Sequence, residues 1–205
     1  MGEPSIKSHL GDAFVQVLLI YNDAHHCSLI REGLGDSYAV ETVAYNAVEN
    51  DLGPLVDQVR AGILVWDMPT FGQKEAGMLE RLSASTALPV LVFAKDPSPE
   101  PAKRALQAGV TAYVVDGLIP SRVSALIAIT TERFRMINAL NLELQRTKAE
   151  LAARKTIERA KGLIMERRNL SEKDAYDAMR RMAMAQGKTV EAIAETILSI
   201  SDILP

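Results

Sequence analysis

Five short apolar runs, each separated from the next by a helix-length amphipathic stretch, fix what the first part of this 205-residue chain can become. The runs are VQVLLI (15–20), YAVETVAY (38–45), ILVWD (63–67), LPVLVFA (88–94) and TAYVVD (111–116). They are rich in β-branched residues and poor in charge, the pattern of strands buried on both faces. The stretches between them read as helices from Ala24 to Leu34, Ala47 to Arg60, Gln73 to Leu82, and Pro99 to Gln107 with Gly109 just beyond. Such β-α alternation closes into a five-stranded parallel sheet covered by helices, with any site at the carboxyl ends of the strands.

Those strand ends can be read for chemistry. Tyr21, Asn22 and Asp23 follow the first strand, Asp67 ends the third, Ala94 and Lys95 follow the fourth, and Asp116 and Gly117 follow the fifth. From about Val15 to Ile129 the layout resembles the receiver domain of bacterial response regulators, which implies an α/β, flavodoxin-like fold. In that family, paired acids after the first strand help hold Mg²⁺. An aspartate ending the third accepts phosphate, and a hydroxyl and a lysine meet the phosphoryl oxygens. The chemistry is charge balance around a dianion.

Against that pattern, Tyr21 and Asn22 stand at the paired-acid positions, Ala94 replaces the hydroxyl and Asp116 replaces the lysine. Asp67 alone survives as a phosphoacceptor candidate, and Pro69 follows it two residues later instead of four. A carboxylate without metal ligands or lysine is a poor acceptor, because added negative charge would meet Asp116 and Asp23 unneutralised. The expectation is a receiver fold working without phosphorylation. The plainer alternative makes Asp67 and Asp116 strand terminators that cap neighbouring loops. His25, His26 and Cys27 form no metal site on this reading, since adjacent helical residues point about 100° apart and no second ligand pair follows. The two histidines are expected to be solvated at a helix start.

From Pro120 to Glu166 there is no further proline, and no glycine until Gly162, which suits one very long helix. Ile137, Leu140, Leu144, Thr147 and Leu151 follow the three-four spacing of a coiled-coil seam, so two chains can pair there; the alternative is packing on the chain's own first domain. The stripe begun at Leu140 then changes character, running through Thr147, Arg154, Lys161 and Arg168 at seven-residue intervals. Facing like charges would repel, so paired helices should part after about Leu151 and present a basic stripe. Ile157, Ala160 and Ile164 remain to receive two further helices.

The segment from Arg154 to Lys188 carries ten Lys/Arg against five Asp/Glu, although the whole chain has net charge −3. A phosphate backbone is the natural partner for such a patch. Asn169 can end the long helix, and Ser171 with Asp174 makes a capping arrangement for a second. Ala175, Ala178, Met179, Met182 and Ala183 give that helix its apolar face, and Gly187 ends it. Thr189 can cap a third helix with Val190, Ile193, Ala194 and Ile197 on its core side. Lys173, Tyr176, Arg180 and Met184 share the other face of the second helix, a ring and two cations on which a single-stranded loop can stack.

Residues 160–198, AKGLIMERRNLSEKDAYDAMRRMAMAQGKTVEAIAETIL, resemble an ANTAR domain, the RNA-binding module of transcription antitermination regulators, with Lys161, Ala175, Tyr176, Arg180, Ala183 and Met184 on its motif. AYVVDGL (112–118) and ERF (132–134) resemble the receiver half of the nitrate-responsive, NasT-like branch, where aspartate in place of the lysine is usual. The resemblance implies a regulator that binds paired stem-loops in leader RNA and prevents termination, without catalysis, under control of a ligand-sensing partner protein. Candidate RNA contacts are Lys161, Arg180, Tyr176, Arg154, Arg167, Arg168, Lys173, Met184 and Lys188; the homodimer seam is Ile137, Leu140, Leu144 and Leu151.

The expected domains are an N-terminal tail (1–12), a receiver-like domain (13–129), a coiled-coil linker helix (130–153) and a three-helix ANTAR unit (154–205). No stretch approaches the roughly 20 apolar residues of a membrane span, no leader pattern opens the sequence, and Cys27 has no disulfide partner, so a cytoplasmic protein is expected. No nucleophile-base arrangement, phosphate loop or metal set argues for an enzyme or a cofactor. Two rivals remain: a DNA-binding response regulator, and a receiver-like protein-interaction module. Residues 190 to 201 contain Glu191 and Glu195 but no Lys or Arg, which opposes a groove-reading third helix.

Overall fold

The computed structural model describes residues 15–48 and 50–203, the side chains of 201–203 excepted. The expected tail, residues 1–12, lies outside them. Two compact units divide the chain, Met1–Ile137 and Asn138–Pro205.

In the first unit the five apolar runs form strands β1 (Val15–Tyr21), β2 (Tyr38–Ala44), β3 (Ile63–Met68), β4 (Val90–Ala94) and β5 (Ala112–Val115). All pair in parallel in the order β2-β1-β3-β4-β5, the flavodoxin-like arrangement. Strand periodicity sorts the core into two layers. Leu18, Ile20, Leu64, Trp66, Val90 and Val92 face helices α2 (Gly53–Val59), α3 (Gln73–Ser85) and α4 (Pro99–Gln107), meeting Val56, Leu79 and Ala105. Val17, Leu19, Ile63, Val65, Leu91 and Phe93 face α1 (Ala24–Leu34) and the start of α5 (Pro120–Arg168), meeting Ile30, Leu34, Val123 and Ile127. Gly33 lets α1 approach α5 closely. A Cβ there would overlap the carbonyl oxygen of Pro120 and stand 2.8 Å from Val123 Cβ.

The expected helix from Ala47 to Arg60 shortens to Gly53–Val59. Residues 45–47 make a 3-10 turn instead, buried Val48 and Leu52 anchor the loop, and Asp51 Oδ1 accepts from Gly53 N at 3.0 Å. Pro54 has no amide hydrogen and so belongs in a first turn, which fixes the start where the structure has it. Both sheet edges are modest: β2 carries exposed Glu41 at its middle, and β5 has four residues before Asp116 turns the chain at φ 46°.

Helix α5 runs for 49 residues through both units and ends at Arg168, where Asn169 turns left-handed at φ 49°. In the second unit, α6 (Glu172–Gln186) starts under the Ser171 hydroxyl, which accepts from Asp174 N at 3.2 Å, and stops at Gly187 with φ 62°. Helix α7 (Val190–Ile203) is capped by Thr189 Oγ1, which accepts from Ala192 N at 3.2 Å. Ala160, Met179, Ala183, Ile193 and Ala194 make its core, flanked by Ile157, Ile164, Val190 and Ile197. Met182, expected on the apolar face of α6, is 43% exposed, because this small core closes around Met179 and Ala183 without it.

Candidate functional site

In the first unit, strand order reverses between β1 and β3, and their carboxyl ends open a crevice. Asp67 lies next to last in the wholly buried β3, with its side chain only 3% exposed. Its Oδ1 lies 2.7 Å from His26 Nδ1, and its Oδ2 accepts from the backbone N–H groups of Asn22 and Asp23, each at 3.4 Å. A carboxylate only accepts, so Nδ1 is the donor in this pair. Both oxygens of the candidate acceptor are thus engaged from within the chain.

His26 corrects the expectation of two solvated histidines. His25 is exposed, whereas the His26 side chain is 20% exposed and turned onto Asp67. Sequence reasoning dismissed the pair as metal ligands and stopped there. The available signal was position, since the third residue of α1 leaves β1 on the side of the crevice. Asp23 serves that helix start, its Oδ1 accepting from His25 N at 2.8 Å and from His26 N at 3.5 Å. Chiefly through the His25 amide, and further through His26 and Lys95, its carboxyl is held below the usual aspartate value. Lys95 Nζ stands 3.6 Å from Asp23 Oδ2.

A cavity of about 210 Å³ is lined by His26, Asp67, Ala94, Lys95, Asp116 and Gly117, together with apolar side chains. The structure therefore gathers Asp67, Ala94 and Asp116 as the sequence places them, while Asn22 contributes its backbone N–H and Asp23 a helix cap. These residues do not fit Mg²⁺. Tyr21 and Asn22 bring no carboxylate, His26 occupies one oxygen of Asp67, and among the described residues no group of three or more His, Cys, Asp or Glu can hold a metal.

The second unit carries the cationic face. Lys173, Tyr176, Arg180 and Met184 are all exposed along one side of α6, Tyr176 by 42% and Met184 by 75%. Arg154, Arg167, Arg168 and Lys188 are exposed as well. Lys161 departs from the expected basic stripe: its side chain is 10% exposed, and Nζ lies 2.6 Å from Glu158 Oε2 and 2.8 Å from Glu172 Oε1. The hydrogen bonds to Glu158 and then Glu172 raise its pKa, and the same bond lowers that of Glu172. Glu158 was legible as an i−3 partner; Glu172 becomes a neighbour only when the chain turns at Asn169. On α5, Ile137, Leu140, Leu144 and Leu151 are 42%, 64%, 52% and 54% exposed.

In this architecture a receiver-like α/β domain comes first in the chain and a helical unit follows. Residues 145–198 match the family model described as the ANTAR domain, and the chain carries that domain after its receiver-like one. It is homologous to the transcriptional regulatory protein PdtaR of Mycobacterium tuberculosis, strains CDC 1551 and H37Rv, with 32% identity over 117 residues. That match covers 57% of this chain and 57% of the length of each relative. Among solved structures, chemotaxis protein CheY4 of Vibrio cholerae aligns with TM-score 0.48 and 18% identity, over 58% of this chain and 99% of that one. A receiver domain protein from Methanospirillum hungatei aligns with TM-score 0.48 and 16% identity, over 60% and 98%. No helix among the described residues is long and apolar enough to cross a membrane.

Proposed function

We propose that this chain is a transcription antiterminator that binds paired stem-loops of a leader transcript through residues 145–198, without phosphorylation of Asp67. The observation that carries the reading is the column of Lys173, Tyr176, Arg180 and Met184, exposed together on α6 within the segment that matches the ANTAR domain. A flat ring between cations suits an unpaired loop base and the phosphates beside it. Arg154, Arg167, Arg168 and Lys188 extend the positive field. α7 carries Glu191 and Glu195 and no Lys or Arg, which disfavours duplex DNA reading.

Binding alone does the work: a protein that prefers one RNA fold shifts the population away from the terminator. The exposed Ile137, Leu140, Leu144 and Leu151 support pairing of two chains, and two output units then engage two loops at high effective concentration. The engagement of both Asp67 oxygens by His26 and the backbone argues for control by something other than phosphate, and a ligand-sensing partner protein supplies it. The AYVVDGL and ERF segments support the nitrate-responsive, NasT-like branch.

The test is titration of paired-hairpin RNA and duplex DNA across a salt series. The expected result is tighter RNA binding with a slope reporting several phosphate contacts, at about 0.7–0.9 per contact. Binding of neither nucleic acid, or preference for duplex DNA, refutes it. Stable phosphate on Asp67 after incubation with Mg²⁺ and a small acyl phosphate refutes the second half.

A further inference from the structure

We propose that Lys161 is a positioning residue that pins the first turn of α6 to α5 and so sets the RNA-facing column, making no phosphate contact itself. The proposal rests on the RNA reading above for what the column does, and on geometry alone for what Lys161 does. Its ammonium is held by Glu158 at 2.6 Å and Glu172 at 2.8 Å, and its side chain is 10% exposed while those of the two carboxylates are 54% and 71% exposed. A phosphate would have to displace a carboxylate to reach it. The lysine follows Ala160 on α5, which is fully buried, as is Ala175 in the first turn of α6.

Glu172 is the first residue of α6, and Tyr176 and Arg180 follow it at successive four-residue steps. It therefore heads the same column that is offered to RNA. The turn before it is short: Asn169 reverses the backbone at φ 49°, Leu170 N donates to Met165 O at 3.3 Å, and Ser171 caps α6. Backbone bonds fix the chain path through this turn, and the Lys161–Glu172 link fixes the side on which α6 starts. Lys161 thus holds Tyr176 and Arg180 in place through Glu172.

The experiment uses the full chain with Lys161→Met, which keeps the apolar stem, Glu172→Gln and Arg180→Ala. Amide exchange in the first two turns of α6 is read without RNA. Lys161→Met and Glu172→Gln are each expected to lower protection about two- to fivefold, and Arg180→Ala to leave it unchanged. In hairpin titrations, the first two weaken affinity at an unchanged salt slope, and combining them costs no more than either alone; Arg180→Ala lowers the slope by about 0.7–0.9. Unchanged exchange in Glu172→Gln overturns the proposal even if Lys161→Met fails to fold. So does a lowered salt slope in Lys161→Met with unaltered binding by Glu172→Gln. Wild-type protein that ignores every hairpin, with the exchange changes present in the two variants, refutes the RNA reading and leaves the positioning role standing.

Discussion

Removing the imidazole from Asp67 tests the interior of the receiver-like pocket directly. The His26–Asp67 contact is 2.7 Å long and its carboxylate is 3% exposed, so removing the imidazole leaves one carboxylate oxygen turned to the adjoining cavity with no donor from the chain. A hydrogen bond to a charged group contributes about 1.5–3 kcal/mol net. The two remaining donors, at 3.4 Å each, reach only the other oxygen and offset little of the loss. His26→Ala is therefore expected to destabilise the first unit by about 2 kcal/mol, roughly a thirtyfold shift in the folded-to-unfolded ratio. The assay is urea unfolding followed by the fluorescence of Trp66, the single tryptophan, which is fully buried next to Asp67 on β3. Pairing His26→Ala with Asp67→Ala in a double-mutant cycle isolates the interaction. A coupling smaller than about 0.5 kcal/mol, within the scatter of independent sites, would show that the contact holds nothing together and would refute the reasoning.

Three further outcomes follow from the same structure. Gly33→Ala should cost about 1–3 kcal/mol despite the better helix propensity of alanine, since its Cβ would overlap the Pro120 carbonyl oxygen; a variant as stable as wild type in urea denies the close approach. Tyr45, whose hydroxyl donates to Glu75, is pushed up to about 12 first by burial and then by that bond. Its stabilisation is complete below the ordinary tyrosine value of about 10 and disappears as pH climbs through about 12; Tyr45→Phe should flatten that alkaline loss, and an ultraviolet titration in which every tyrosine ionises at the ordinary value rejects it. Leu140→Glu with Leu144→Glu should convert a sedimenting dimer into a monomer with unchanged helical content; wild-type protein that is monomeric at every concentration removes the seam.

How much was legible depended on the range of the interaction. The continuous burial of β1, β3 and β4 and the caps at Ser171, Gly187 and Thr189 are local, and the sequence states them through residue type and spacing. α2 was misread because the apolar pattern from Ala47 looked continuous, while the Gly53–Pro54 start outweighs it. His26 on Asp67 joins positions 41 apart, and no periodicity encodes which side chain of α1 reaches β3. Lys161 fell between these cases. Its motif position and its heptad spacing both pointed to an exposed stripe, and the partner that buries it lies 11 residues on, across a reversal that only the folded chain supplies.

Glu41, standing alone and exposed midway along the outer strand β2, carries a consequence for how crowded this protein can become. An open margin of backbone invites addition of a further strand from a neighbour, and a lone anion in a stretch otherwise made of alanine, valine, threonine and tyrosine makes such growth unfavourable. The opposite margin is too brief, at four residues, to template much before Asp116 bends it away. Resistance to stacking into fibrils therefore resides in one carboxylate on one side and in sheer shortness on the other.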